Sequence, residues 1–143
     1  MLKMLIAVDG SQHADRAIAA VAEMVRSATA NVEVTLVHVR DLPIYPGDLP
    51  VFDADQVEDL LKRKQDEILA AAARHAESIG LKVVSQQRAV GSPGLEIVAV
   101  ATQCGADQIA MGTHGRGGIG SLFIGSVAQR VVHLSKLPVL LVK

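Results

Sequence analysis

The sequence predicts a parallel α/β fold, and three observations carry that reading. Short, continuous apolar runs alternate with longer segments of helical period, the pattern of strands buried on both faces and covered by helices. Glycine-containing turns with a capping residue follow two of the runs, at Asp9-Gly10-Ser11 and Gly91-Ser92-Pro93. A length of 143 residues suits one core, and neither an internal repeat nor a low-complexity linker divides the chain into further domains.

The expected strands are Met4–Val8, Val32–Val39, Lys82–Val90, Gln108–Met111 and Pro138–Val142. The first helix, Ser11–Ser27, opens on Ser11 as N-cap. The second, Asp53–Ile79, sets Val57, Leu60, Leu61, Ile68, Leu69, Ala72, Ala76 and Ile79 near one stripe, interrupted at Lys64 and stopped by Gly80. Before it, residues 41–52 hold Pro43, Pro46, Gly47 and Pro50, too broken for regular structure, with Ile44, Tyr45, Val51 and Phe52 available to pack on the core or cap a pocket. In the third helix Ser92 can cap, Pro93 fits the first turn, and Leu95, Val98, Ala99 and Thr102 form one face. The fourth, Gly125–Leu134, is short and leads into the last strand.

Composition removes several functional classes. The chain balances 14 Lys+Arg against 15 Asp+Glu, and its aromatic residues are Tyr45, Phe52 and Phe123, so it has neither the basic stripe nor the stacking platform of a nucleic-acid binder. A lone cysteine, Cys104, cannot close an intramolecular disulfide, which suits a reducing compartment and makes the cytoplasm the expected location. The apolar run before Asp9 is too short for a signal peptide, and no run approaches the ~20 residues of a membrane span, so no membrane partner is expected. The histidines His13, His38, His75, His114 and His133 lack short metal-ligand spacing, and no metal site is expected from them. Cys104 has no basic neighbours in sequence that would make a reactive thiolate.

The informative stretch is Gly112–Ser126, with six glycines in fifteen positions between a strand and a helix. At the carboxyl end of a parallel sheet such a loop offers free backbone N–H groups and the positive end of a helix dipole, and glycine lets the chain take positive φ and approach an anion closely. Phosphate is the natural guest. Gly115, Gly117 and Gly120 satisfy G-x-G-x-x-G, but not in the first βα turn, and Val139-Leu140-Leu141 stands where a dinucleotide site needs an acidic residue. The lysine of a P-loop is also missing before Ser121.

What fits is G-x2-G-x9-G-[ST], carried by Gly112, Gly115, Gly125 and Ser126. With Leu5-Ile6-Ala7-Val8-Asp9-Gly10-Ser11, Val37-His38-Val39, Gly91-Ser92-Pro93, Gly105-Ala106-Asp107 and Pro138-Val139-Leu140-Leu141-Val142, the whole chain resembles the universal stress protein family, in its ATP-binding branch. The resemblance implies a Rossmann-like, three-layer α/β fold: a five-stranded parallel sheet of order 3-2-1-4-5 with four helices on both faces. It implies ATP as ligand, with Mg2+. By similarity Ala7, Val8, Asp9, Val39 and Met111 would line the adenine and ribose pocket. Gly112, His114, Gly115, Arg116, Gly117, Gly125, Ser126 and Val127 would wrap the phosphates.

Two of these residues keep two readings. Asp9 suits a ribose or metal-water contact, or the cap of the turn into the first helix. Arg116 suits a phosphate contact or a solvated loop charge. Without the P-loop lysine and an evident general base, the expected activity is ATP binding in a regulatory or sensor role, with at most slow hydrolysis or self-phosphorylation. The alternative is an interaction module of the same fold that acts through dimerisation and partner binding. The family resemblance also implies a homodimer paired through the edge strand 138–142.

Overall fold

The computed structural model describes residues 1–29, 31–42, 53–115 and 123–143. Five strands and four helices alternate along the chain: β1 (Leu2–Ala7), α1 (Gln12–Ala28), β2 (Val32–Arg40), α2 (Ala54–Ser78), β3 (Lys82–Val90), α3 (Pro93–Gln103), β4 (Gln108–Gly112), α4 (Ser126–Leu134) and β5 (Val139–Val142). All strand pairs are parallel, in the order β3-β2-β1-β4-β5, as expected. The expected apolar loop residues Ile44, Tyr45, Val51 and Phe52 lie outside the described residues.

The strand period sorts side chains into two cores. Met4, Ile6 and Val8 join Val34 and Leu36 under α1 and α2, with Ile18, Val21, Leu69 and Ala76. Leu5, Val37, Ile109 and Met111 face the other way, onto Ile97, Val100, Ala128 and Val131 of α3 and α4. Three layers result. Ser11 caps α1 as predicted, its Oγ accepting from the Ala14 N–H at 3.3 Å.

Besides one-residue shifts at the ends of several elements, the structure departs from the sequence expectation at four places. β1 runs from Leu2 rather than Met4, because Leu2 pairs with Val32 and its N–H donates to Asn31 O at 3.0 Å. Ser92 occupies the N-cap of α3, but its side chain makes no capping bond. The buried face of α3 is Gly94, Ile97, Val100 and Ala101, while Leu95 and Thr102 are exposed. Close packing on α4 selects that face: a Cβ on Gly94 would stand 2.4 Å from Arg130 Cγ. On α2, Leu60 is exposed and Gln65 is buried beside the predicted break at Lys64.

At the β3 edge, Lys82 Nζ donates to Glu33 Oε1 at 2.6 Å, and this bond holds the Glu33 carboxyl below its ordinary range. A lowered native value means the contribution to stability is present above the unfolded value and lost as pH falls through the native one. The stability difference between wild type and Glu33→Gln, from urea titrations, is therefore expected to be full above the ordinary carboxylate range and to shrink as pH falls through the lowered native value. An undiminished difference in acid would refute this.

Candidate nucleotide cleft

β1 leads to β2 on one side of the sheet and β4 lies on the other, so the carboxyl ends of β1 and β4 flank a topological switch point. A cleft of about 550 Å³ opens there, within the usual size of a small-ligand site. Ala7, Val8 and Met111 form its floor, and Val37 and Val39 of β2 with Pro93 and Ile97 of α3 form an apolar wall. Asp9, Thr113, His114 and Gly115 line the mouth opposite Phe123, Ile124 and the first turn of α4, from Gly125 to Ala128.

Of the thirteen residues expected at the site, eleven line this one cleft: Ala7, Val8, Asp9, Val39, Met111, Gly112, His114, Gly115, Gly125, Ser126 and Val127. Arg116 and Gly117 lie outside the described residues. Ala14, Val37, Pro93, Ile97, Thr113, Phe123, Ile124 and Ala128 line it as well and were not anticipated. Val37 was legible, since it lies two residues before Val39 and a strand puts both on one face. Ile97 was hidden by the misread face of α3.

The described glycines of the stretch meet the expectation of close approach but not that of positive φ. Positive φ occurs at Gly10, Gly80, Gly91 and Gly105, whereas Gly112, Gly115 and Gly125 do without it. Close approach explains these three. A Cβ on Gly112 would stand 2.7 Å from His13 Cβ and 2.9 Å from its backbone, where α1 crosses the strand end. A Cβ on Gly125 would stand 3.0 Å from Thr113 O, which accepts from the Gly125 N–H at 2.6 Å. Gly115 would meet Asp9 Oδ2 at 3.0 Å. The described ends of the loop are thereby drawn against both helix starts.

At α4 the N-cap is Gly125, which offers no side-chain cap, and the first intrahelical bond runs from Gln129 N to Gly125 O at 3.0 Å. The amides of Ser126, Val127 and Ala128 therefore have no acceptor within the helix, and all three residues line the cleft. Together with the helix dipole they form a site for an anion. Asp9 spans both of its expected positions. Oδ1 accepts from the Ser11 N–H at 2.9 Å and caps the turn, while Oδ2 lies toward Gly115 at the cleft mouth.

His114 Nδ1 lies 2.9 Å from Thr113 Oγ1. Its ring packs on that of His13, with centroids 5.2 Å apart and planes tilted by 45°. Among the described residues, no group of three or more His, Cys, Asp or Glu gathers to hold a metal ion, and no helix is long and apolar enough to cross a membrane.

Comparison with known proteins places this geometry. The sequence profile described as "Universal stress protein family" matches residues 1–143. A universal stress protein of Thermus aquaticus is 40% identical and the alignment covers 98% of this chain and 97% of that one. The solved structure of MJ0577 from Methanocaldococcus jannaschii superimposes with a TM-score of 0.79 at 28% identity, over 99% of this chain and 95% of that one. The universal stress protein of Archaeoglobus fulgidus, solved in complex with dAMP, has a TM-score of 0.65 at 27% identity, over 100% of this chain and 98% of that one. On the profile match and the Thermus aquaticus relative alike, this chain belongs to the universal stress protein family.

Proposed function

We propose that this chain binds ATP in the cleft between β1 and β4 and acts as a regulatory stress protein of the cytoplasm. The observation that carries the reading is the mixed lining of the cleft: an apolar wall together with three acceptor-free helix amides behind close-packed glycines. A nucleotide combines the same two chemistries. Val37, Val39, Pro93 and Ile97 would hold the flat base, and the backbone of β2 would read its edge. Ala7, Val8, Asp9 and Met111 would support the ribose. Gly112, His114, Gly115, Gly125, Ser126 and Val127, with Arg116 and Gly117, would receive the phosphates. The dAMP complex of the Archaeoglobus fulgidus relative supports this choice of ligand.

Mg2+ fits such a site through the phosphates rather than through a protein cage. Mg2+ commonly keeps several waters and is held by one or two carboxylates with the substrate's phosphates, and Asp9 at the cleft mouth would be the carboxylate here. When bound the ion would neutralise phosphate charge. Isothermal titration of nucleotide-stripped protein with ATP and Mg2+ is expected to show saturable one-site binding. No heat at ~1 mM ATP would overturn the reading and favour the interaction module.

The same reading includes a homodimer. β5 pairs with β4 along one side only, and its residues Val139–Val142 are each half-buried, leaving an apolar sheet edge. Antiparallel pairing of two such edges would cover it. Light scattering at micromolar concentration should give twice the chain mass of 15.0 kDa; a monomer mass would refute the pairing.

A further inference from the structure

His13 and His114 come from separate elements, the first turn of α1 and the loop after β4, and their rings meet at 5.2 Å beside the glycine cradle. Two ring nitrogens, His13 Nδ1 and His114 Nε2, are buried without a hydrogen-bond partner among the described residues. Native structures rarely leave such groups unmatched. His114 lines the cleft; His13 lies behind it, against Gly112.

We infer that the His13–His114 pair takes up one proton when the phosphate chain binds, so that nucleotide affinity is coupled to pH. The inference rests on the nucleotide reading above and deepens it. Imidazole is the side chain whose ordinary titration lies close to neutrality. A protonated His114 brings a positive charge to the cleft lining, where it attracts phosphate, while its Nδ1–H donates to Thr113 Oγ1. His13 is the positioning residue. It holds the His114 ring from behind, and repulsion between two cations at this separation limits the pair to a single shared proton.

The other charged groups around the pair set its background. They are Asp9 on the turn before α1, Asp15 and Arg16 in the first turns of α1, and Lys143 beyond the end of β5, whose Val142 O accepts from the Thr113 N–H. Asp9 already has Oδ1 committed to the Ser11 N–H and lines the cleft mouth. The proton comes from buffer, and no bond of the nucleotide is made or broken. Because the bound state holds the extra proton, affinity rises as pH falls toward the imidazole range.

The test is titration of ATP into the full chain in buffers of different ionisation enthalpy, at pH ~7, comparing wild type with His13→Gln and His114→Gln. The nucleotide's own terminal phosphate also titrates near pH ~6, but equally in all three proteins. Wild type should take up a larger fraction of a proton per ATP than either variant, and its affinity should rise several-fold more between pH ~8 and ~6. Proton NMR of the wild-type imidazoles, with and without ATP, provides the same readout without mutation: nucleotide should hold one of the two protonated to higher pH. Equal proton uptake in all three proteins, or imidazole titrations unmoved by ATP, overturns the inference and leaves nucleotide binding intact. Absence of any binding to wild type overturns both.

Discussion

Replacing Gly112 with alanine is expected to cost stability and nucleotide affinity together. The added Cβ would stand 2.7 Å from His13 Cβ and 2.9 Å from the carbonyl carbon and oxygen of the same residue. Rotation of the His13 side chain cannot relieve contact with its own backbone, so α1 must move away from the end of β4. Forcing apart packed elements in this way typically costs about 1–3 kcal/mol, which in a chain of this size lowers Tm by about 3–10 °C. The displaced elements carry Asp9, His114 and Gly115, all at the cleft mouth, so the Kd for ATP should rise by at least about tenfold. Gly80→Ala is the control. It stands after α2 with φ of +92° and nothing within 4 Å of its added Cβ, so it tests backbone strain far from the cleft. Calorimetry and titration of both variants decide: Gly112→Ala with wild-type affinity would show that the close approach of α1 does not shape the site.

The strands β1, β2, β4 and β5 were legible because burial on both faces demands an unbroken apolar run, and such runs are local. β3 was legible as well, with the same bounds Lys82–Val90, although as an edge strand it carries Ser85, Gln86, Gln87 and Arg88 and is held by its pairing with β2. The face of α3 could not be read from periodicity, because Leu95, Ile97, Val98, Ala99, Val100 and Ala101 leave almost every side of the helix apolar. What decides is a contact with Arg130, thirty-six positions away from Gly94, and no local pattern reports it.

The cleft was legible in its glycine spacing but not in its physics. Sequence shows which positions lack a Cβ; it does not show what stands where the Cβ would be. At Gly112 and Gly125 the obstacles are His13 and Thr113 O, one brought in by α1 and the other by the loop's own closure. His13 illustrates the limit. In sequence it is an isolated histidine in a helix, and only the packing of α1 on β4 sets it against His114.

Gln65 makes the same point with a larger energy. In sequence the apolar stripe of α2 breaks at Lys64, yet the next residue, Gln65, is 2% exposed, and its amide nitrogen donates to both His38 O and Ala89 O, at 3.1 and 3.0 Å. Its Oε1 accepts from Arg40 Nε at 3.1 Å, and the Arg40 guanidinium, largely buried, also pairs with Glu58. One side chain thus satisfies two strand carbonyls and orients a buried cation. Gln65→Leu keeps the volume, takes a donor from both carbonyls and leaves Arg40 with Glu58 alone, at an expected cost of about 3–5 kcal/mol and a Tm lower by about 6–20 °C. The loss should be partly recovered by adding Arg40→Met, because the cation then no longer requires an acceptor, whereas two independent side chains would give additive losses. Gln65→Glu separates the remaining bonds. It preserves the acceptor for Arg40 but turns a donor into an oxygen facing two carbonyls, so it too should be destabilised at neutral pH. Wild-type stability in Gln65→Glu would mean that the carbonyl bonds contribute nothing, and that Arg40 alone keeps an amide in the core.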